Sequence, residues 1–420
     1  MCIKKKERSD GMIEPKLRFK TDDGSDFPEW NEIKISDAIT ESKRPIHMKD
    51  DDQYQLLTVK RRNEGIVSRG LFCGKNILVK NYYQVKQGDY IISKRQIVHG
   101  ANGIVSAELD GAIVSNEYMV LSNSDVLLMD YLALYSMTKK MYHKFYISSY
   151  GVDIEKMFFN IDDWKKKTIY VPCLEEQKKI VMFLHTIDVV IDKQKAIVAL
   201  WEKRKKGVMQ KLFSQEIRFK ANDGSQFPEW EEKKISECTK FVKDGTHGTH
   251  KNVSNGHPLL SAKDIFDNVV HIPNDSRLIS DEDYNKIFSK YNLQVGDVLI
   301  TIVGTLGRTA LVTDVCKHVA FQRSVGIMRP DKNIIDSSYL KTVCDVAYFQ
   351  NQLEIKKNKG AQAGVYLGTL SDIAIPVPCL VEQKKIADCL SALDDVIDNY
   401  KETLNAWKEL KKGLLQQMFV

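Results

Sequence analysis

The chain has no Cys-x-x-Cys pair and no two adjacent prolines, and no apolar run approaches the roughly 18 residues that a membrane span needs. The first absence argues against a zinc ribbon. Eight scattered cysteines, Cys2, Cys73, Cys173, Cys238, Cys316, Cys344, Cys379 and Cys389, also argue against a secreted disulfide framework and read as reduced, structural thiols. The second absence removes the usual Pro-Pro motif of adenine methyltransferases. There is no phosphate-binding G-x-x-x-x-G-K-[ST], no G-x-S-x-G and no H-E-x-x-H. "GTLGR" at 304–308 lacks the dinucleotide-binding spacing and falls between strand-like runs. No self-contained catalytic constellation and no metal site is expected. The N-terminal "MCIKKKERSDGMIE" is basic without an apolar stretch behind it, so the expectation is an unprocessed, cytoplasmic chain without membrane contact.

What is present is repetition. "RFKTDDGSDFPEW" at 18–30 returns as "RFKANDGSQFPEW" at 218–230, and a longer stretch beginning "VPCLEEQKKI" at 171 returns as "VPCLVEQKKI" at 377. Two segments of similar size lie between these matches and share little. The chain of 420 residues therefore reads as a 1–30 lead-in, a first variable domain over 31–170, a helix over 171–214, a lead-in and second variable domain over 215–376, and a second helix over 377–420.

Each repeated segment carries a heptad seam. Ile180, Leu184, Ile187, Ile191, Val198, Trp201, Val208 and Leu212 keep a 4-3 spacing that Gln194 and Lys205 interrupt. Ile386, Leu390, Leu393, Ile397, Tyr400, Leu404, Trp407, Leu414 and Met418 do the same in the second. Pro172 and Pro378 precede the helices, and Glu175 and Glu176 suit the positive end of the first. One helix delivers the chain to the second variable domain and the other returns it, so compact domains require antiparallel pairing. The expected fold class is α+β: two similar mixed α/β domains separated by a long antiparallel two-helix coiled coil, with pseudo-two-fold symmetry. Forty helical residues would span about 60 Å. Helices packing each on its own domain would leave the matching seams unexplained.

The variable domains share a grammar of short strands and glycine turns. "YQVKQGDYIISKRQIVHGANGIV" (83–105) parallels "LQVGDVLITIVGTLGRTALV" (293–312), and "AIVSNEYMVL" (112–121) parallels "VAFQRSVGIM" (319–328). A shared frame with different polar tips suits two readers of different ligands. The net charge of +6 is compatible with nucleic acid, with cations gathered at 60–62, 94–95, 165–167, 203–206 and 356–359. "VKDGTHGTHKN" (242–252) is open to three readings: metal ligands, a plain turn, or a loop offering Thr246, His247, Thr249 and His250 to nucleic acid.

The alternation of two variable domains with two repeated helices, each introduced by P-C-L-x-E-Q-K-K-I, with "FPEW" twice and "DGTH" once, resembles the specificity subunit of type I restriction-modification systems. The resemblance covers essentially the whole chain. It implies a non-catalytic, DNA-binding subunit with two target recognition domains, each reading one half of a bipartite, asymmetric site on double-stranded DNA. It further implies helices that set the gap and dock two methyltransferase subunits, which carry S-adenosylmethionine. Restriction (motor-nuclease) subunits using ATP and Mg would join them, in the service of phage defence, and this chain would hold no cofactor. A 60 Å rod corresponds to at most roughly 17 base pairs. The first domain lacks "DGTH", and Cys173 and Cys379 stand where the family more often has a second proline.

Residue chemistry selects Lys60, Arg61, Arg62, Lys94, Arg95 and Asn116 as the DNA-binding candidates of the first domain. In the second they are Thr246, His247, Lys263, Arg308, Gln322, Arg323 and Gln362, since Arg pairs with guanine and Gln with adenine. A coiled-coil scaffold without sequence-specific binding and a free-standing DNA-modifying enzyme are the alternatives. Absence of salt-dependent DNA affinity would mark the first, and activity of the isolated chain the second.

Overall fold

The computed structural model describes residues 15–289, 292–316, 318–358 and 364–419. The chain divides into two compact units, 1–195 with 402–420, and 196–401. Each unit thus holds one end of each long helix, Leu174–Phe213 and Leu380–Met418. No helix among the described residues is long and apolar enough to cross a membrane.

The two units are built alike. In the first, an antiparallel sheet runs Thr40–Glu41, Tyr118–Ser122, Tyr90–Ser93, Asn102–Ile104. In the second the order is Thr239–Asp244, Val325–Pro330, Val298–Thr301, Thr309–Leu311. A second sheet in each unit contains one parallel pair, Gln53–Val59 with Ile113–Ser115 and His257–Leu260 with Ala320–Phe321. The matched segments of the sequence occupy matched strands, and the result is the α+β class expected. The central strands Tyr90–Ser93 and Val298–Thr301 are fully buried, which is why they read as unbroken apolar runs rather than alternating ones.

Both central strands are preceded by a Gly-Asp turn with a positive φ at the glycine, 84° at Gly88 and 92° at Gly296. The aspartates that follow are buried. Asp89 accepts from Arg44 (2.6 and 3.2 Å) and from the Lys86 amide, and Asp297 from Arg329 (both 2.8 Å) and the Gln294 amide. The arginine comes from different places. Arg44 follows the edge strand of its sheet, whereas Arg329 lies on the neighbouring strand, so the same buried carboxylate is neutralised by two solutions.

The repeated stretches bind one another. Arg18 donates to Glu176 (Nε 3.1 Å, Nη2 2.8 Å) and to the carbonyls of Phe27 and Pro28. Arg218 does the same with Glu382 (3.2 and 2.9 Å), Phe227 and Pro228. Glu176 and Glu382 are both 0% exposed. The residue after each is a buried glutamine: Gln177 joins Leu128, Val126 and Pro172, and Gln383 joins Asp336, Ile334 and Pro378. Glu176 therefore serves the lead-in arginine as well as the helix end. A duplicated joint explains the duplicated sequence.

A phenylalanine at the end of the first long helix, and one just past the end of the second, pack into the domains. Phe419 stacks on Tyr135 at 5.5 Å and lies 5.1 Å from Tyr131 in the first unit. Phe213 meets Trp230 at 6.1 Å and Tyr339 at 6.0 Å in the second. The helices pair antiparallel. In the second unit Trp201 stacks on Tyr400 at 6.3 Å, and Lys205, which interrupts the seam, donates to Asp394 at 2.5 Å. In the first, Lys411 donates to Asp188 at 2.6 Å.

Candidate nucleic-acid interface

In the first unit three strands, Gln53–Val59, Tyr90–Ser93 and Ile113–Ser115, end at neighbouring loops. The loop after the first turns through Arg62 and Asn63, both in the left-handed region (φ 61° and 56°). It is docked by backbone bonds from Arg62 to His99 (2.6 Å) and Asn63 to Gly100 (2.8 Å). Gly100 is itself left-handed (φ 73°), and a Cβ there would lie 3.1 Å from Asn63, so the glycine permits the close approach. Lys94 donates its amide to Glu117 O at 3.0 Å and its ammonium to Asn116 O at 2.6 Å. Lys60, Arg61, Arg62, Lys94, Arg95 and Asn116 thereby come together on one face. Lys60 and Arg62 are exposed, with side chains bonded to no group among the described residues.

The second unit assembles its loops at the corresponding strand ends. Thr246 donates its amide to Phe321 O (2.7 Å), Arg323 to Thr246 O (3.0 Å), and Gln322 to Leu260 O (2.8 Å). Ala262, beside Lys263, donates to Ser324 Oγ at 3.0 Å, and Arg308 Nη1 reaches Ile265 O at 3.3 Å. Thr246, His247, Lys263, Arg308, Gln322 and Arg323 are thus brought together. Lys263 and Arg323 are exposed and unpaired among the described residues. Gln362 lies outside the described residues. Beside Arg308 an open polar cavity of about 350 Å³ is lined by Phe266, Asp267, Asn268, Thr309, Asp345 and Gln350.

The histidines of the 242–252 stretch and its surroundings do not converge. His247 pairs with Asp244 (2.6 Å), His250 faces Thr246 (2.8 Å) and Asp283 (3.3 Å), and His257 pairs with Asp281 (3.0 Å). Among the described residues no cluster of three His, Cys, Asp or Glu side chains could hold a metal ion. Each ring lies beside a different carboxylate, an arrangement suited to fixing a loop. Within the other basic runs, Lys165 pairs with Glu41, Lys167 with Asp163 and Lys205 with Asp394.

One part of the first face escaped a search by residue type. The hairpin made by Ser149–Tyr150 and Phe158–Phe159 leans on it: Phe159 donates its amide to Lys94 O (2.8 Å), Glu155 binds Arg61 (3.4 and 2.8 Å), and the Phe158 ring lies 5.7 Å from the Arg95 guanidinium carbon. Its signal was the aromatic spacing of "YGVDIEKMFF" (150–159), which carries only one cation. Tyr118, next to Glu117, has its phenol pushed up by burial against the lowering pull of Arg69, and so stays a neutral hydroxyl.

Comparison with known proteins converges on one family. The profile described as type I restriction modification DNA specificity domain matches twice, over residues 29–199 and 228–408. The specificity subunit of the type I restriction enzyme MjaVIII of Methanocaldococcus jannaschii is 24% identical, with 94% of each chain covered. A putative MjaX specificity subunit of the same organism is 25% identical over 62% of this chain and 60% of its own length. Among solved structures, the type I restriction-modification S subunit from M. genitalium shares the fold at a TM-score of 0.55 and 14% identity, covering 97% of this chain and 99% of its own. A chain from a study of complex assembly and conformational transition in a type I system gives 0.58 at 18% identity, over 93% of this chain and 98% of that one. With two profile matches spanning most of its length, this chain belongs to the type I restriction modification DNA specificity family, as a DNA target-recognition subunit that is not itself an enzyme.

Proposed function

We propose that each unit reads one half of a bipartite, asymmetric site on double-stranded DNA through its strand-end loops. The divisions that serve this are the first recognition domain over 31–170 and the second within 215–376. The observation that carries the reading is that the same three strand ends in both units present exposed polar and cationic side chains, on one frame but with different residues: Lys60 and Arg62, Arg95, and Asn116 in the first against Lys263, Arg308 and Arg323 in the second. Arginine forks and amides at such positions match base edges in the major groove, while lysines grip phosphate. Different tips on a repeated frame give half-sites of different sequence.

In this reading the long helices set the gap between half-sites and dock two methyltransferase subunits, and restriction subunits complete the assembly. S-adenosylmethionine belongs to the methyltransferase subunits, ATP and Mg to the restriction subunits, and the complex works in the cytoplasm. The test is co-expression with a matching methyltransferase subunit in a methylation-free host, followed by mapping of modified adenines. One bipartite motif with a fixed gap is expected. A stable complex that methylates nothing would favour a scaffold without sequence recognition.

A further inference from the structure

Arg95 and Glu117 stand on adjacent loops of the first unit, and the way they bond separates Arg95 from the other cations there. Glu117 Oε2 accepts from Arg95 Nε at 2.6 Å, on the inner edge of the guanidinium. The guanidinium carbon lies over the Phe158 ring, 5.7 Å from its centroid. Neither contact uses the pair of terminal nitrogens. Those two Nη groups form the end-on fork that matches the O6 and N7 acceptors of guanine in the major groove.

The neighbours lack this arrangement. Arg61 commits both terminal nitrogens to Glu155, at 3.4 and 2.8 Å, so its fork is taken and it braces the 149–159 hairpin instead. Lys94 places its ammonium on Asn116 O, and a lysine has no fork to offer. The Arg95–Glu117 pair is 64% and 45% exposed, and an ion pair so open to water adds little to stability. What it does is restrict a long side chain before any ligand arrives, which lowers the ordering cost of binding.

We propose that Arg95 determines specificity in the first half-site by reading a guanine end-on, with Glu117 and Phe158 as the residues that position it. The proposal rests on the recognition function above. It predicts a base preference at one position of one half-site, independent of the other half.

The test uses the chain in complex with its methyltransferase subunits and selects from a pool of double-stranded DNA randomised across both half-sites. The unaltered complex should enrich a motif containing guanine in the first half. Arg95→Ala should reduce the preference at that position by about tenfold or more, with the second half-site unchanged as the internal measure of folding. Arg95→Lys should keep the salt dependence of binding while losing the preference, because the charge remains and the fork does not. Glu117→Ala and Phe158→Leu should loosen the same position, and Glu117→Gln, which keeps an acceptor oxygen, should restore most of it. An unchanged motif for Arg95→Ala, or a lost preference for a base other than guanine, overturns the assignment of Arg95. A preference that survives both Glu117→Ala and Phe158→Leu overturns their positioning role. If the unaltered complex enriches no motif, the recognition function itself fails.

Discussion

Arg218 holds Glu382 by two bonds, 3.2 and 2.9 Å, at the start of the second long helix, and the same pair recurs as Arg18 and Glu176 at the start of the first. Both carboxylates are out of contact with water. In the second unit the Trp230 indole also donates to Glu382 at 3.0 Å, whereas the Trp30 indole N–H makes no hydrogen bond among the described residues. Hence Arg218→Ala should destabilise the second unit by about 3–5 kcal/mol, because a buried charge is left unpaired. The double variant Arg218→Ala with Glu382→Gln should be milder. Denaturant unfolding followed by unit-specific probes compares the two, and equal losses would show that the buried charge is not the cause.

Burial also sets the reactivity of the thiols. The Cys238 thiol is pushed up to about 11 by its apolar surroundings and that of Cys344 is pushed well above its usual range, while Cys73 is partly exposed. The thiolate is the reactive form, so at pH 8 the buried Cys238 stays a thiol. Iodoacetamide should therefore label Cys73 in the native protein and spare Cys238 and Cys344 until unfolding. Labelling read by peptide mass spectrometry, with Cys238 modified as fast as Cys73, would contradict this core.

Much of the architecture was legible because it was written twice. Two copies of a heptad seam and of the RFK and P-C-L-x-E-Q-K-K-I stretches define the joints before any coordinates, and Gly88-Asp89 and Gly296-Asp297 mark equivalent strands. The candidate loops were chosen on residue type, arginine, lysine and glutamine beside glycine turns being suited to base and phosphate contacts. The acidic partners were not legible. Glu117 and Glu155 lie 22 and 94 residues from the arginines they hold, and a carboxylate on a cationic face looks unfavourable until the guanidinium edge it occupies is seen. Nor could sequence tell that Lys205, an interruption in the seam, finds a carboxylate across it.

The "DGTH" stretch owes its glycine to packing. A Cβ at Gly245 would lie 2.0 Å from the carbonyl oxygen of Phe321, where the backbone of Thr246 is bonded. Gly245→Ala must push the loop off that strand, at a cost of about 1–3 kcal/mol. Thr246, His247 and Arg323 would move with it. The expected outcome is a relaxed preference in the second half-site alone, measured by mapping the methylated motif, together with a lowered unfolding temperature of the second unit. Relaxation confined to the first half-site would be incompatible with this placement.

Lys205 and Lys411 occupy equivalent positions of the two long helices, and so do their partners Asp394 and Asp188. One ion pair therefore occurs once in each unit with the roles of the helices exchanged, and it is satisfied only when the helices run antiparallel in this register. Such partly screened pairs contribute about 0.5–1 kcal/mol, and less at high salt. Lys205→Asp sets two carboxylates together and should destabilise the second unit. Adding Asp394→Lys should recover most of the loss, since the swapped pair restores attraction at the same place. A double-mutant cycle at low and at high salt measures the coupling. Zero coupling at low salt would mean that the apolar seam alone fixes the register, and the lysines would then be mere interruptions in it.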